Sequence, residues 1–254
     1  MCLLVIAYKV HPRYRLIGVA NRDEYYHRPS EHLNFWKDNP NILAGRDLKC
    51  GGTWLGITRN GRFSAITNYR DPQAVKEGRP SRGLIVKNFL QTYKSPEAYL
   101  KELEKCAKDF NPFNVIVGDK QEMWYYSNRS DSLKLDAGIY GLSNHLLDTP
   151  WPKVKKAKQR IKDLITEKEI DIEKMFSLLK DKNFPPDQEL PDTGIGYDKE
   201  RMLSPIFIQS PDYGTRSSYV ILMEENIVHI FEQNYIVSSS YVKENRLEFH
   251  IFIN

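Results

Sequence analysis

The second residue, Cys2, is the first in this sequence whose type and place could do chemistry. Methionine aminopeptidases remove Met1 when the next side chain is small, and removal leaves a thiol and a free α-amine on one residue. That amine has an ordinary pKa of about 7.7–8.0, so it can accept a proton near neutrality. A thiol beside its own base is an activated nucleophile, analogous to the pairing of threonine with an N-terminal amine. The plainer alternative is a small buried hydrophobe that opens a strand. A second group is Asn21-Arg22-Asp23-Glu24, four polar residues directly after the apolar run Leu16-Ile17-Gly18-Val19-Ala20. A guanidinium there lowers a neighbouring thiol pKa by favouring the thiolate, and a carboxylate there can hydrogen-bond an ammonium. The alternative is a solvated strand end with a local ion pair. Gly51-Gly52-Thr53-Trp54 also has two readings. The glycines either let backbone approach a ligand beside a Trp wall or form a bulge that opens a strand.

These groups act together only if the intervening elements carry them to one place. Residues 2–8 form an apolar run too short for a helix and read as a buried strand. Residues 14–20 read as its hairpin partner, which sets the polar tetrapeptide at the end of strand two, beside the N-terminus. Strands at 53–58 and 63–67 are joined through Asn60-Gly61, a pair that tolerates positive φ. Leu84, Ile85, Phe89 and Leu90 give helical spacing over 82–93, and a second helix over 96–108 starts at Pro96, where the missing N–H is harmless. Strands follow at 113–118, 122–127 and 138–143, then helices at 152–166 and 171–181. A loop rich in Pro, Gly and Asp spans 184–197, and strands return at 205–209, 217–224, 227–233 and 246–253. This order, with hairpin-length links, predicts an α+β fold of antiparallel sheets with helices packed outside, not a doubly wound parallel sheet. No linker divides the chain, so residues 1–254 are expected to form one domain.

The composition narrows the classes. Apolar residues make up 41% and charged residues 28% of 254 positions, with a net charge of +4, an ordinary globular balance. Lys153, Lys155, Lys156, Lys158 and Lys162 have helical spacing and read as a solvated helix face, and no nucleic-acid motif accompanies them. Cys2, Cys50 and Cys106 show no CxxC spacing, which argues against a disulfide framework and a structural zinc site. Reduced thiols, an N-terminus without signal-peptide features and no bilayer-length apolar run point to a cytoplasmic protein. The expectation is no cofactor, no metal and no nucleic acid or membrane span, leaving a small-molecule substrate or a hydrophobic ligand as the partner.

Seven motifs occur in order: Cys2; Asn21-Arg22-Asp23-Glu24 with Arg28-Pro29; Gly51 to Gly56; Thr67-Asn68-Tyr69-Arg70; Ser81-Arg82-Gly83; Gly141-Leu142-Ser143-Asn144; and Gly214-Thr215-Arg216-Ser217-Ser218. This set, covering almost the whole chain, closely resembles the NRDE family, also called the transport-and-Golgi-organisation family. The resemblance implies a distant likeness to choloylglycine hydrolases and penicillin V acylases, which are N-terminal cysteine amidohydrolases with a four-layer αββα fold. It implies that Cys2 is the nucleophile and that Arg22 and Asp23 stand where those enzymes place an Arg and an Asp. The spacing departs from their Arg-Asn-x-Asp arrangement, so the two roles are not assigned individually. It further implies Asn68 as an oxyanion donor, Asn144 as the group orienting the α-amine, and Arg216 as a cation that keeps Cys2 ionised or binds an acidic substrate group. A fixed donor at a developing oxyanion is worth about 2.7–4 kcal/mol. Without the resemblance, Asn68 and Asn144 are turn residues and Arg216 an ion-pair partner. Asn21, Gly52 and Trp54 are taken as substrate-binding.

Three functions follow. The first is an amidohydrolase acting on a linear, non-peptide C–N bond. The second is a carrier of a hydrophobic ligand such as haem or an acyl thioester, walled by Trp54, Trp36 and the tyrosines, with His27, His32 or His145 as the axial ligand in the case of haem. The third is a trafficking scaffold that needs no small molecule.

Overall fold

The structure is a computed structural model that describes residues 3–167, 169–237 and 242–253, so Cys2 lies outside the described residues. Strand β1 (Leu3–Tyr8) is buried along its whole length. Side chains alternate across a strand, and here both faces are covered. Leu4, Ile6 and Tyr8 enter one apolar core, and Leu3, Val5 and Ala7 enter another. That is why the run reads as continuously apolar. Strand β2 (Leu16–Tyr25) pairs antiparallel with it, Tyr8 opposite Leu16 and Leu3 opposite Asn21.

The remaining strands are β3 (Ser30–Trp36), β4 (Asn39–Asp47), β5 (Leu55–Thr58), β6 (Phe63–Asn68), β7 (Phe113–Gly118), β8 (Met123–Ser127), β9 (Ser130–Lys134), β10 (Gly138–Leu142), β11 (Tyr213–Met223), β12 (Ile227–Val237) and β13 (Val242–Phe252). They form a six-stranded sheet, β10-β1-β2-β11-β12-β13, and a seven-stranded sheet, β3-β4-β5-β6-β7-β8-β9, in which every pairing is antiparallel. Helices α1 (Gly83–Gln91) and α2 (Pro96–Cys106) pack on the seven-stranded sheet, and α3 (Pro152–Leu164) and α4 (Ile172–Leu179) on the six-stranded one. Leu4 and Ile6 share one core with Ile57 and Phe63 of the other sheet, so the two sheets face each other. The layers run α, β, β, α, as the resemblance implies, with antiparallel sheets inside and helices outside as the residue pattern predicts.

Several boundaries differ from expectation, each for a physical reason. Strand β2 runs through the polar tetrapeptide instead of ending before it, and Asn21, Arg22 and Asp23 are buried. Strands β3 and β9 escape apolar periodicity because most of their side chains face solvent; β3 also pairs with β4 in an irregular register. The six-residue helix α5 (Tyr197–Met202) lies at the end of the expected loop, and its one buried residue is Glu200. Residues 205–209 make no strand. Ile206, Phe207 and Ile208 are buried, but Phe207 N–H bonds to Asp181 O and Ile208 N–H to the Thr215 hydroxyl. The 58–63 turn has Gly61 at φ 78°, as the Asn-Gly pair suggests.

Candidate functional site

Because successive residues of β2 point to opposite faces, the tetrapeptide is split. Asn21 and Asp23 face the α3–α4 layer, and Arg22 faces the space between the sheets. The Asn21 amide donates to Leu179 O at 2.9 Å and Ile206 O at 2.8 Å, and its oxygen accepts from the Ser218 hydroxyl at 2.6 Å. Asp23 accepts from the Thr215 hydroxyl at 2.6 Å through one oxygen, and the other oxygen is buried with no partner among the described residues. The Arg22 guanidinium lies 3.9 Å from the centre of the Trp54 ring and donates to the Ser30 hydroxyl at 3.3 Å. It is only 4% exposed. Burial pulls its pKa below the usual arginine value, against the opposing influence of Tyr219, Glu24 and Asp47.

Trp54 is held as firmly as the cation it supports. Its indole N–H donates to the Tyr219 hydroxyl at 3.1 Å. That hydroxyl donates in turn to Glu232 and is linked to the Ser217 hydroxyl at 2.9 Å. Glu232 also accepts from Leu33 N–H at 2.7 Å and from the Asn234 amide at 3.0 Å. Burial, then the Glu232 charge, pushes the Tyr219 hydroxyl well above its ordinary pKa. A methyl group on Gly45 would sit 2.4 Å from Trp54, so only glycine leaves room for the indole.

The Arg22–Trp54 pair borders two cavities. The first, about 220 Å³, is lined also by Ser30, His32, Arg216 and Glu232. The second, about 120 Å³, is lined also by Arg28, Asn68, Ser81 and Arg82. Arg216 occupies a bulge in β11, where the register against β2 shifts between Thr215 and Ser217. It donates to Tyr25 O at 3.0 Å and Arg28 O at 2.9 Å. Burial, then the charge of Arg22, lowers its pKa. Asn68 ends β6 with its side chain exposed, and its carbonyl accepts from the Asn144 amide at 3.0 Å. Asn144 is buried two residues beyond β10, whose Leu142 pairs with Leu4 of β1.

The structure thus brings Arg22, Trp54 and Arg216 to one cavity and Arg22, Trp54 and Asn68 to the other, with Asn144 bonded to Asn68. Asn21 and Asp23 lie on the opposite face of the sheet. Gly52 is a point of backbone packing: an added Cβ would meet the Gly83 carbonyl carbon at 2.5 Å, and Thr53 N–H bonds to Gly83 O at 3.1 Å. Of the histidines, His32 is exposed at the rim of the first cavity, and His27 is exposed beside Tyr25. Both ring nitrogens of His145 are engaged, with the Tyr69 and Thr149 hydroxyls at 2.9 Å each. Trp36 bonds to Ala44 O beneath Arg46 and lines neither cavity. Sequence reasoning missed Tyr219 and Glu232. A signal was available, since Glu232-Gln233-Asn234 breaks the apolar run of β12 as the tetrapeptide breaks that of β2, and all three are buried. Among the described residues no helix is long and apolar enough to cross a membrane, and no group of three or more His, Cys, Asp or Glu could hold a metal ion.

Residues 1–236 match the protein family described as Transport and Golgi organisation 2. A human Transport and Golgi organization protein 2 homolog is 38% identical over 249 residues, covering 88% of this chain and 89% of its own. The mouse homolog is 36% identical over 250 residues, 89% and 90% of the two chains. The Drosophila melanogaster protein is 26% identical over 260 residues, 92% of each. Among solved structures, a Caenorhabditis elegans ortholog of N-acylethanolamine-hydrolyzing acid amidase superposes with a TM-score of 0.52 at 12% identity, covering 87% of this chain and 92% of that one. A mutant conjugated bile acid hydrolase from Clostridium perfringens gives 0.50 at 10% identity, covering 98% and 92%. These structural likenesses establish the fold, that of N-terminal-nucleophile hydrolases, and the sequence matches establish that the chain belongs to the Transport and Golgi organisation 2 family.

Proposed function

We propose that this chain is an N-terminal cysteine amidohydrolase that cleaves a linear, non-peptide C–N bond. Cys2 is the nucleophile, and its α-amine, freed by loss of Met1, is the base. The observation that carries the reading is the pairing at the described end of β1. Leu3 lies opposite Asn21 and Leu4 opposite Leu142, so the strand heads toward Arg22 on one side and Asn144 on the other.

In this reading the α-amine takes the thiol proton and the thiolate attacks the amide carbon. A C–S bond forms as the carbonyl π pair moves onto oxygen, where a donor such as Asn68 stabilises it. Collapse expels the amine, which takes the proton from the α-ammonium. Water, deprotonated by the α-amine, then splits the thioester and regenerates the thiol. Arg22 faces the cavity and favours the thiolate. Asp23 acts from the other face of the sheet, fixing the β2–β11 pairing through Thr215. Arg216 supplies the second cation of the larger cavity.

A carrier of haem or acyl lipid needs a wide apolar cavity, and for haem an inward histidine as well. Of the two cavities beside Arg22 and Trp54, the larger is about 220 Å³ and is lined in part by the charged Arg22, Arg216 and Glu232. That contrast favours the hydrolase. The free Cys50 and Cys106 accord with a reducing, cytoplasmic setting, and we treat residues 1–254 as one domain. The test is amine release from a panel of N-acyl amides by the Met1-processed protein and by Cys2→Ala. The expected result is release that disappears in the variant; release that persists in Cys2→Ala contradicts the assignment.

A further inference from the structure

We infer that Glu200 is a positioning residue for the candidate site, acting through Arg70 on Asn144, and that residues 181–204 form a strap whose seating sets the geometry there. This rests on the hydrolase reading insofar as Asn144 serves the chemistry.

The strap follows α4 and precedes the segment that leads into β11. Its helix α5 fully buries no apolar side chain, yet Glu200 is 3% exposed. A carboxylate is kept out of water only when charge and hydrogen bonds compensate it, and Glu200 has both. One oxygen accepts from the Arg70 guanidinium at 2.5 Å, and the other from Thr193 N–H at 2.8 Å and the Thr193 hydroxyl at 2.6 Å. Glu200 therefore closes the strap on itself and fastens it to the residue after Tyr69. The strap is also anchored at its ends, where Asp181 meets Lys156 at 2.5 Å and Arg160 at 3.4 Å and Leu203 O accepts from Lys153 at 2.7 Å. Contacts in between, such as the Tyr197 hydroxyl to Asp187 at 2.7 Å and Lys155 to Glu189 at 3.4 Å, are solvent-exposed. Gly194 and Gly196, at φ 81° and 85°, shape the turn that leads into α5.

From Arg70 the connection continues into the site. Its backbone N–H donates to Asn144 O at 2.7 Å, and its guanidinium reaches the Asn144 side-chain oxygen at 3.4 Å. The same guanidinium stands 5.0 Å from the Trp151 ring centre, which limits its freedom on the other side. The Asn144 amide then donates to Asn68 O at 3.0 Å. One run of contacts thus links the strap to both asparagines that the resemblance places in the site. Without Glu200, Arg70 loses its charge partner, and the orientation of Asn144 is no longer fixed from that side.

The experiment combines two measurements on the Met1-processed protein. The first is amide hydrogen exchange at Arg70, which reports the bond to Asn144 and needs no reactivity at Cys2. The second is the alkylation rate of Cys2 by iodoacetamide as a function of pH, with Cys50 and Cys106 as internal references. Glu200→Ala is expected to raise Arg70 exchange and to slow Cys2 alkylation about tenfold, the scale of losing a supporting hydrogen-bond partner. Glu200→Gln keeps the acceptor and should fall between Glu200→Ala and wild type. In an Asn144→Ala background, Glu200→Ala should slow Cys2 no further. Unchanged exchange at Arg70, or a Glu200→Ala effect of the same size with and without Asn144, overturns the inference. If wild-type Cys2 reacts no faster than the two references, the hydrolase reading fails instead, and the exchange measurement alone decides whether the strap is coupled to Asn144.

Discussion

The Arg22 side chain borders both cavities while stacked 3.9 Å from the Trp54 ring centre. Methionine at this position would keep an apolar layer over the indole and remove the charge. A nearby cation stabilises a thiolate, so its loss moves a thiol pKa upward. We therefore expect Arg22→Met to shift the pH midpoint of Cys2 alkylation to higher pH, and a midpoint that stays or falls would contradict the role given to Arg22. Stability should change little. The lost cation–π contact, about 0.5–2 kcal/mol, is opposed by relief from burying the cation, and urea unfolding checks the balance. A second residue-scale prediction concerns His145, whose pKa is lowered by burial. The unfolded chain titrates it near 6.5, so below that pH the unfolded state binds the proton more readily. The contribution of neutral His145 is fully present above about pH 6.5 and is lost as pH falls toward the folded-state pKa. His145→Gln should flatten the decline in stability between about pH 7 and 5; an unaltered slope would show that other groups set it.

At the scale of elements, periodicity explains what was legible. The β1–β2 hairpin, the turn at Gly61 and the helices α1 to α4 carry apolar patterns or turn residues that few other structures satisfy. Strands β3 and β9 and helix α5 carry none, since they are held by pairing with a neighbour or by one buried carboxylate. The continuation of β2 through Asn21-Arg22-Asp23 was hidden for a related reason. Four polar residues look solvated until Leu179 O, Ile206 O and Thr215 are known to meet two of them. Gly52 illustrates an ambiguity that only packing resolves, because a strand and a helix start approach there too closely for a Cβ. Gly52→Ala should separate the lead of β5 from α1 and cost about 1–3 kcal/mol, the usual range for overpacking, in chemical denaturation. A loss below about 0.5 kcal/mol, as at ordinary surface positions, would mean that the contact with Gly83 relaxes freely.

For the whole molecule, two sheets face each other beneath outer helices, and the candidate site opens where β2 and β11 approach β5 and β6. The resemblance carried by the ordered motifs made this architecture legible. It pointed to Cys2, Arg22, Asp23, Asn68, Asn144 and Arg216 with Asn21, Gly52 and Trp54, of which Arg22, Trp54, Asn68 and Arg216 border the two cavities. The motifs did not reveal which face of the sheet each residue takes, because facing depends on register and on the bulge at Arg216. Nor did they reveal Tyr219 and Glu232, which hold Trp54 from a distant part of the chain. The central claim is that Cys2 becomes an N-terminal, activated thiol. Intact mass of the protein, before and after brief exposure to a thiol-reactive probe near neutral pH, tests it most directly in wild type and Cys2→Ala. The account predicts a mass lacking Met1 and rapid labelling that vanishes in Cys2→Ala. Retained Met1, or labelling of Cys2 no faster than that of Cys50 and Cys106, would contradict it.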